Sequence, residues 1–370
     1  MKYKLQDIVD VTMGQSPKSE FYNNDGEGVP FLQGNRTFGF KYPTFDTFTT
    51  MVTKEAKAGD VIMSVRAPVG DLNITPVDIC LGRGVCSLRM KNGNQEFLYY
   101  MMKYYIPQLI NKESGTVFGS VNRNDIIELE IDIPNDAEKQ GKISRFLSML
   151  DEKIQINNKI NNNLEQQMQA LYKAWFVDFI HFNGAKPDNW TISSLGEVTN
   201  MGAGGDKPKI ISAIQTEECP YPIYSNGLSD NGLYGYTNTP KIYDESVTVS
   251  ARGTIGFVCI RHTPYVPIVR LVTLIPNTEI ISAKYLYLYL KQLNITGTGT
   301  TQQQLTVPDF RKTEILVPDK ETMSAFTDII TPLFSKIWAN EKENASLSTT
   351  RDTLLPKLMS GELDVSEVNF

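Results

Sequence analysis

Two long stretches of the chain carry apolar side chains at intervals that alternate between four and three. In the first, positions 143, 147, 150, 154, 157, 161, 164, 168, 171 and 175 are Ile, Leu, Leu, Ile, Asn, Asn, Leu, Met, Leu and Trp. In the second, positions 326, 330, 333, 337, 340, 344, 347, 351, 354 and 358 are Phe, Ile, Leu, Ile, Asn, Asn, Leu, Arg, Leu and Leu. The spacing predicts two helices with a coiled-coil seam, each interrupted by asparagines at the same two places. Asp136, two residues after Pro134, and Asp319, directly after Pro318, are the predicted N-caps. Antiparallel pairing puts Asn157 opposite Asn344 and Asn161 opposite Asn340, and these amides fix the register because a slip buries them without partners. The seam from 143 to 175 spans about 48 Å at ~1.5 Å per residue, long enough to serve as a ruler. The plainer reading is that each helix only caps its own domain. Pro332 and Pro356 fall inside the second pattern and predict a kink or break there.

Period-two patterns mark strands elsewhere. In DVIMSVRA (60–67), Val61, Met63 and Val65 alternate with Ile62, Ser64 and Arg66, and ESVTVSARG (245–253) does the same. Ile127, Leu129, Ile131 and Ile133 alternate with Glu128, Glu130 and Asp132, which predicts a half-buried strand whose acidic face cannot lie on phosphates. FLYYMMKYYIPQLI (97–110) lacks such alternation and is read as a helix, and its counterpart YLYLYLK (285–291) is read the same way. These segments belong to one long duplication. SVRAPVG (64–70) matches SARGTIG (250–256), and GTVFGSVNRNDIIELEIDIP (115–134) lies over GTTQQQLTVPDFRKTEILVP (299–318). The offset drifts only between 183 and 190, as expected when loops differ and framework elements persist. A repeat of this length implies two tandem domains, each strand-rich α+β and each followed by a long helix, rather than a solenoid.

Composition then narrows the chemistry. A chain of 370 residues, 41% hydrophobic, has room for two or three domains with their own cores. No apolar run reaches the roughly 18 to 20 residues that cross a bilayer, and the N-terminal segment lacks a signal-peptide core. Cys80, Cys86, Cys219 and Cys259 form no C-x-x-C pair, and with only two histidines they argue against a disulfide framework or zinc site and for a reducing cytoplasm. The net charge is −6, from 36 basic and 42 acidic residues, so any nucleic-acid contact requires a local concentration of cations. Phosphate-loop, nucleophile-elbow, zinc-protease and dinucleotide signatures are missing. So is the Pro-Pro pair of an adenine methyltransferase. GAGGD (202–206) reads as a turn, because its partner GQSPK (14–18) is not Gly-rich, and His181 and His262 read as structural.

Polar loop residues between the repeated framework elements supply groups that read bases. The first half offers Gln15, Ser16, Lys18, Gln33, Asn35, Arg36, Arg66, Arg83, Ser120, Asn122 and Arg123. The second offers Lys207, Lys209, Ser225, Asn226, Arg252, Arg261, Gln302, Gln303 and Gln304. Arg and Lys pair with guanine, Asn and Gln with adenine, and all of them with phosphate. Any single one of them also fits a solvated loop.

QALYKAWFVDF (169–179) and LLPKLMSGEL (354–363), at the ends of the predicted helices, resemble the closing motifs of the two conserved helical regions of type I restriction-modification specificity subunits. GDVIMSVRAPVGD (59–71), GRGVC (82–86), NRNDI (122–126) and LDEKIQINNKINNNLE (150–165) are also similar to that family, in its order, over nearly the whole chain. The resemblance implies two target recognition domains, at 1–135 and 183–318, each reading half of a split site in double-stranded DNA. Conserved helical regions at 136–182 and 319–370 would pair as an antiparallel coiled coil with pseudo-twofold symmetry and set the unread spacer. The resemblance also implies a subunit without catalysis of its own, which holds two adenine methyltransferase subunits that flip and methylate a base in each half-site. A restriction and translocase subunit completes the complex, and no membrane is involved. S-adenosylmethionine, ATP and Mg then belong to the partners, and no cofactor binds this chain. Trp175, Phe176, Phe179, Leu358, Met359 and Leu363 are candidate methyltransferase-docking residues, or else they close the helix pair. The alternative function is a coiled-coil scaffold with two protein-binding domains and no DNA sequence preference.

Overall fold

The computed structural model describes residues 2–111, 119–297 and 304–364. Among them are eight α-helices: α1 (Leu5–Ile8), α2 (Gln95–Asn111), α3 (Arg123–Ile127), α4 (Ala137–Phe176), α5 (Leu195–Val198), α6 (Ala283–Gln292), α7 (Val307–Phe310) and α8 (Lys320–Ser360). The chain divides into two units, Met1–Lys159 with Asn340–Phe370, and Ile160–Ala339. The long helices α4 and α8 each contribute one end to each unit.

In the first unit a four-stranded antiparallel sheet runs in the order Val9–Met13, Val85–Met90, Val61–Ser64, Leu72–Ile74. The strand Val61–Ser64 has no polar face because both of its faces are covered. Val61, Met63 and Val65 enter the main core with Phe97, Leu98 and Met101 of α2, while Ile62 enters a smaller core with Leu32, Ala56, Ile79, Leu81 and Val85. That smaller core lies under a second sheet in which Val29–Leu32 runs parallel to Ile79–Leu81.

The second unit repeats this plan. Its four-stranded sheet runs Thr199–Ala203, Val272–Pro276, Ser246–Val249, Val258–Arg261, and Tyr221–Tyr224 runs parallel to Val266–Pro267. Val247, Val249 and Ala251 share its core with Leu286, Leu288 and Leu290 of α6. Both aromatic-rich segments are therefore helices, as read from the first, although YLYLYLK by itself alternates like a strand.

One predicted strand is shorter than its pattern, although its apolar and acidic residues alternate inward and outward as read. Residues 127–133 divide between the end of α3 and a short strand, Glu130–Asp132, that pairs with Lys2–Lys4. The cause is local: the Asn122 side chain accepts from the N–H groups of Asn124 and Asp125, and the Asp125 carboxylate accepts from Asn122 N–H at 2.9 Å. This capping box starts α3, whose last residue, Ile127, takes the first position of the alternating pattern.

The long helices start where their caps say. Asp136 Oδ1 accepts from Glu138 N–H at 2.9 Å. Asp319 Oδ1 accepts from Thr322 N–H at 3.0 Å, and its Oδ2 accepts from the Trp190 indole at 2.9 Å. Hydrogen bonds from the Thr322 backbone hold the Asp319 carboxyl below the usual carboxylate range. No seam position is exposed. The expected break at Pro332 and Pro356 does not occur, and α8 runs through both as helix. Both prolines are exposed, so the carbonyls that lose a donor face water rather than core.

Within the first unit the two helices pair antiparallel. Asn157, 1% exposed, donates to Asn344 Oδ1 at 2.9 Å and to Glu343 at 2.7 Å, and Asn344 donates to Asn158 at 2.8 Å. Two turns away, Arg351 donates to the fully buried Asp151 at 2.6 Å, and Tyr100 of α2 donates to the other carboxylate oxygen at 2.7 Å. Within the second unit the pairing is also antiparallel and is aromatic: Trp175 and Phe176 lie 5.5 and 4.7 Å from Phe326, ring to ring.

Candidate nucleic-acid interface

Five of the candidate readers of the first half meet in one groove. Ser16, Lys18, Gln33, Arg66 and Arg83 line it together with Pro17, Glu20 and Tyr22. The Ser16 hydroxyl ties three segments together, donating to Gln33 Oε1 at 2.8 Å and accepting from Arg83 N–H at 3.1 Å. Gly82 and Gly84 flank Arg83 because the backbone approaches too closely for side chains. A Cβ on Gly82 would stand 2.6 Å from Gln33 Cα, and one on Gly84 would stand 2.5 Å from Gln33 O. Arg66 is placed by a bridge to Ser120. Three cations against one carboxylate make this groove basic on a chain that is acidic as a whole.

Other first-half candidates are engaged locally. Asn35 donates to Asp71 at 2.5 Å, and Arg36 pairs with Asp46 at 2.8 Å, a hydrogen bond that lowers the Asp46 carboxyl. Asn122 is the cap of α3, so its carboxamide is committed to the backbone. Gln15, Ser120 and Arg123 are exposed.

In the second half, Arg252 is exposed and donates from Nε and Nη2 to Gln304 at 3.3 and 3.1 Å. It occupies the place of Arg66, because Val65 and Ala251 both accept a backbone hydrogen bond, from Val121 and Leu305 respectively. Lys207 lies over the Tyr234 ring at 4.2 Å and donates to its hydroxyl; Lys209 is exposed and Ser225 half-buried. Gln302 and Gln303 lie outside the described residues.

Two assignments are corrected. Arg261 is buried, donating to Thr248 at 3.0 Å and to Asn231 O at 2.7 Å with its guanidinium 3.6 Å from the Tyr224 ring, so its donors are committed to the fold. Asn226 bonds to backbone at both ends of its carboxamide. A candidate that the sequence reading missed is Arg270, exposed and two residues before the strand Val272–Pro276, as Arg83 is two residues before Val85–Met90. The signal was available: GRGVC (82–86) lies over VRLVT (269–273) at an offset of 187, inside the drift of the repeat.

The docking candidates also separate. Trp175 and Phe176 are core residues of the second unit, and Leu358 and Met359 of the first, so all four close their own unit and present no free surface. Phe179 is half-buried and Leu363 is exposed. His181 stacks on Trp175 at 4.1 Å and His262 on Trp338 at 4.0 Å, both structural contacts. Among the described residues no helix is long and apolar enough to cross a membrane.

Residues 1–166 and 187–349 each match the family model described as the type I restriction modification DNA specificity domain. The chain is 24% identical to the type I restriction enzyme MjaIX specificity subunit of Methanocaldococcus jannaschii, over 99% of this chain and 94% of that one. It is 26% identical to the putative type I specificity subunit S.MpnORF507P of Mycoplasma pneumoniae, over 91% of this chain and 90% of the relative. Among solved structures, the type I restriction-modification S subunit of M. genitalium shares the fold, with a TM-score of 0.62 at 19% identity over 97% of this chain and 96% of that chain. The tandem α+β units thus correspond to two recognition domains, and the chain belongs to the family of type I restriction-modification DNA specificity subunits, the non-catalytic components of those systems.

Proposed function

We propose that this chain reads a bipartite target in double-stranded DNA, one half-site per recognition domain, and docks two adenine methyltransferase subunits. The observation that carries the reading is the repeated arginine pair, Arg66 with Arg83 in a basic groove of the first unit and Arg252 with Arg270 exposed at matching framework positions of the second. Arginine reads guanine through O6 and N7 and anchors phosphates elsewhere. Two copies of one framework with different loops suit two half-sites of different sequence. The helices α4 and α8 set the spacer in this reading, and Phe179 and Leu363 are the remaining docking candidates. S-adenosylmethionine, ATP and Mg belong to the methyltransferase and restriction subunits of a cytoplasmic complex.

Methylation mapping tests this. DNA from cells that express the chain with its methyltransferase subunit should carry a split methylated motif that is missing when the methyltransferase is expressed alone. A stable complex that produces no new motif would replace this reading with the scaffold one.

A further inference from the structure

We infer that Asn226 is a positioning residue that decides which bases the second domain accepts, by holding together the two segments that carry Arg252 and Arg270. This rests on the DNA-reading role proposed above. Asn226 Oδ1 accepts from Ala251 N–H at 2.7 Å, and Nδ2 donates to Val269 O at 2.7 Å. Ala251 immediately precedes Arg252, and Val269 immediately precedes Arg270. A single carboxamide thus links the backbone one residue before each arginine.

The first domain joins the same segments differently. There Val65 N–H bonds directly to Gly84 O at 2.9 Å, with Arg66 just after Val65 and Arg83 just before Gly84. The second domain replaces that backbone bond with a side-chain bridge, so its arginine pair is set by a residue that substitution can change without altering the framework. The bridge also holds an unusual backbone. Val269 and Arg270 are both left-handed, at φ 54° and 61°, a conformation that β-branched residues rarely adopt. Val269 N–H to Gly205 O at 2.9 Å, Arg270 N–H to Gly204 O at 2.8 Å and the Asn226 bond keep it there. Strain that is held by several independent contacts and ends on an exposed arginine marks a segment shaped for contact rather than for packing. Gln304 completes the arrangement by accepting two N–H groups of Arg252.

The test is methylation mapping of the full complex carrying Asn226→Ala, Arg252→Lys or Arg270→Lys, beside wild type. Asn226→Ala should relax base choice in one half-site, with methylation of the wild-type motif falling at least about tenfold, and leave the other half-site unchanged. Arg270→Lys, exposed and unable to unfold the unit, should relax the same half-site. Two outcomes overturn the inference: both half-sites unchanged in Asn226→Ala, or a general loss in Asn226→Ala with no change of motif in either arginine variant. A wild-type complex without a split motif would instead remove the DNA-reading role itself.

Discussion

The two units build the same helix pair around different chemistry. In the first, the layer at Asp151 and Arg351 is an ion pair, with Asp151 fully buried and Arg351 11% exposed at its side chain, and it is closed by the Tyr100 hydroxyl. Burial, and then the Asp151 carboxylate, push the Tyr100 phenol far up, so it remains a donor to Asp151 across the working pH range. The 183-residue repeat puts Phe334 at the place of Asp151 and Met168 at that of Arg351, and both are core residues of the second unit. Tyr287 of α6 meets Phe334 edge-on at 5.7 Å. One fold thus tolerates either layer, provided that the charged version satisfies every buried oxygen. A buried ion pair contributes little net stability compared with good apolar packing, but losing one partner of it is costly. A second copy of α4 paired where α8 belongs would bring Met168 against Asp151 and leave a buried carboxylate without its cation.

Breaking the ion pair is the sharpest test. Asp151→Ala should destabilise the first unit by about 3–5 kcal/mol, because Tyr100 and Arg351 lose their shared buried acceptor and only the exposed Asp352 remains to Arg351. Hydrogen exchange should then accelerate in α2 and the first part of α4; protection within about 1 kcal/mol of wild type would make the pair a bystander. Phe334→Ala should cost the second unit about 3–5 kcal/mol through a cavity, with lost protection in α6 and none in α2. The double variant Asp151→Phe with Arg351→Met transplants the second unit's layer into the first. It should recover all but about 1–2 kcal/mol of the Asp151→Ala loss and, having lost the charged layer, should show more dimer by light scattering at high concentration.

The smallest predicted difference lies at the caps. Asp319→Ala should cost about 1–2 kcal/mol and Asp136→Ala about 0.5–1, since only Asp319 also holds an indole N–H. The Asp319 carboxyl is depressed in the folded chain. Its contribution is therefore complete above the unfolded value of about 3.9 and is lost as pH falls through the lower folded one. Thermal melts should show the gap between wild type and Asp319→Ala closing below about pH 4; a gap that persists there would mean the cap does not depend on ionisation.

Much of the framework was legible because it is periodic. Seams with a 3.5-residue repeat, caps at Asp136 and Asp319, and strands before SVRAPVG and SARGTIG each express a local rule that the fold obeys. Misreadings came where a local hydrogen bond or a distant side chain outweighed the pattern. Asn122 caps a helix that takes Ile127 from the predicted strand, and Tyr224 with Thr248 drew Arg261 into the interior. For Leu358 and Met359 the pattern left open docking or closing the helix pair, and they fill the first unit's core beside Leu355.

The sequence by itself determined the duplication, the two helical seams and the Asn157 to Asn344 register, since each depends on spacing along the chain, and its motifs carried the resemblance to the family. Only the tertiary structure decided which polar side chains are available to a partner. Arg83 and Arg270 face outward while Arg261 is buried and the Asn226 carboxamide is bonded to backbone, because availability depends on which donors and acceptors the folded backbone brings within about 3 Å, and spacing along a chain does not encode that.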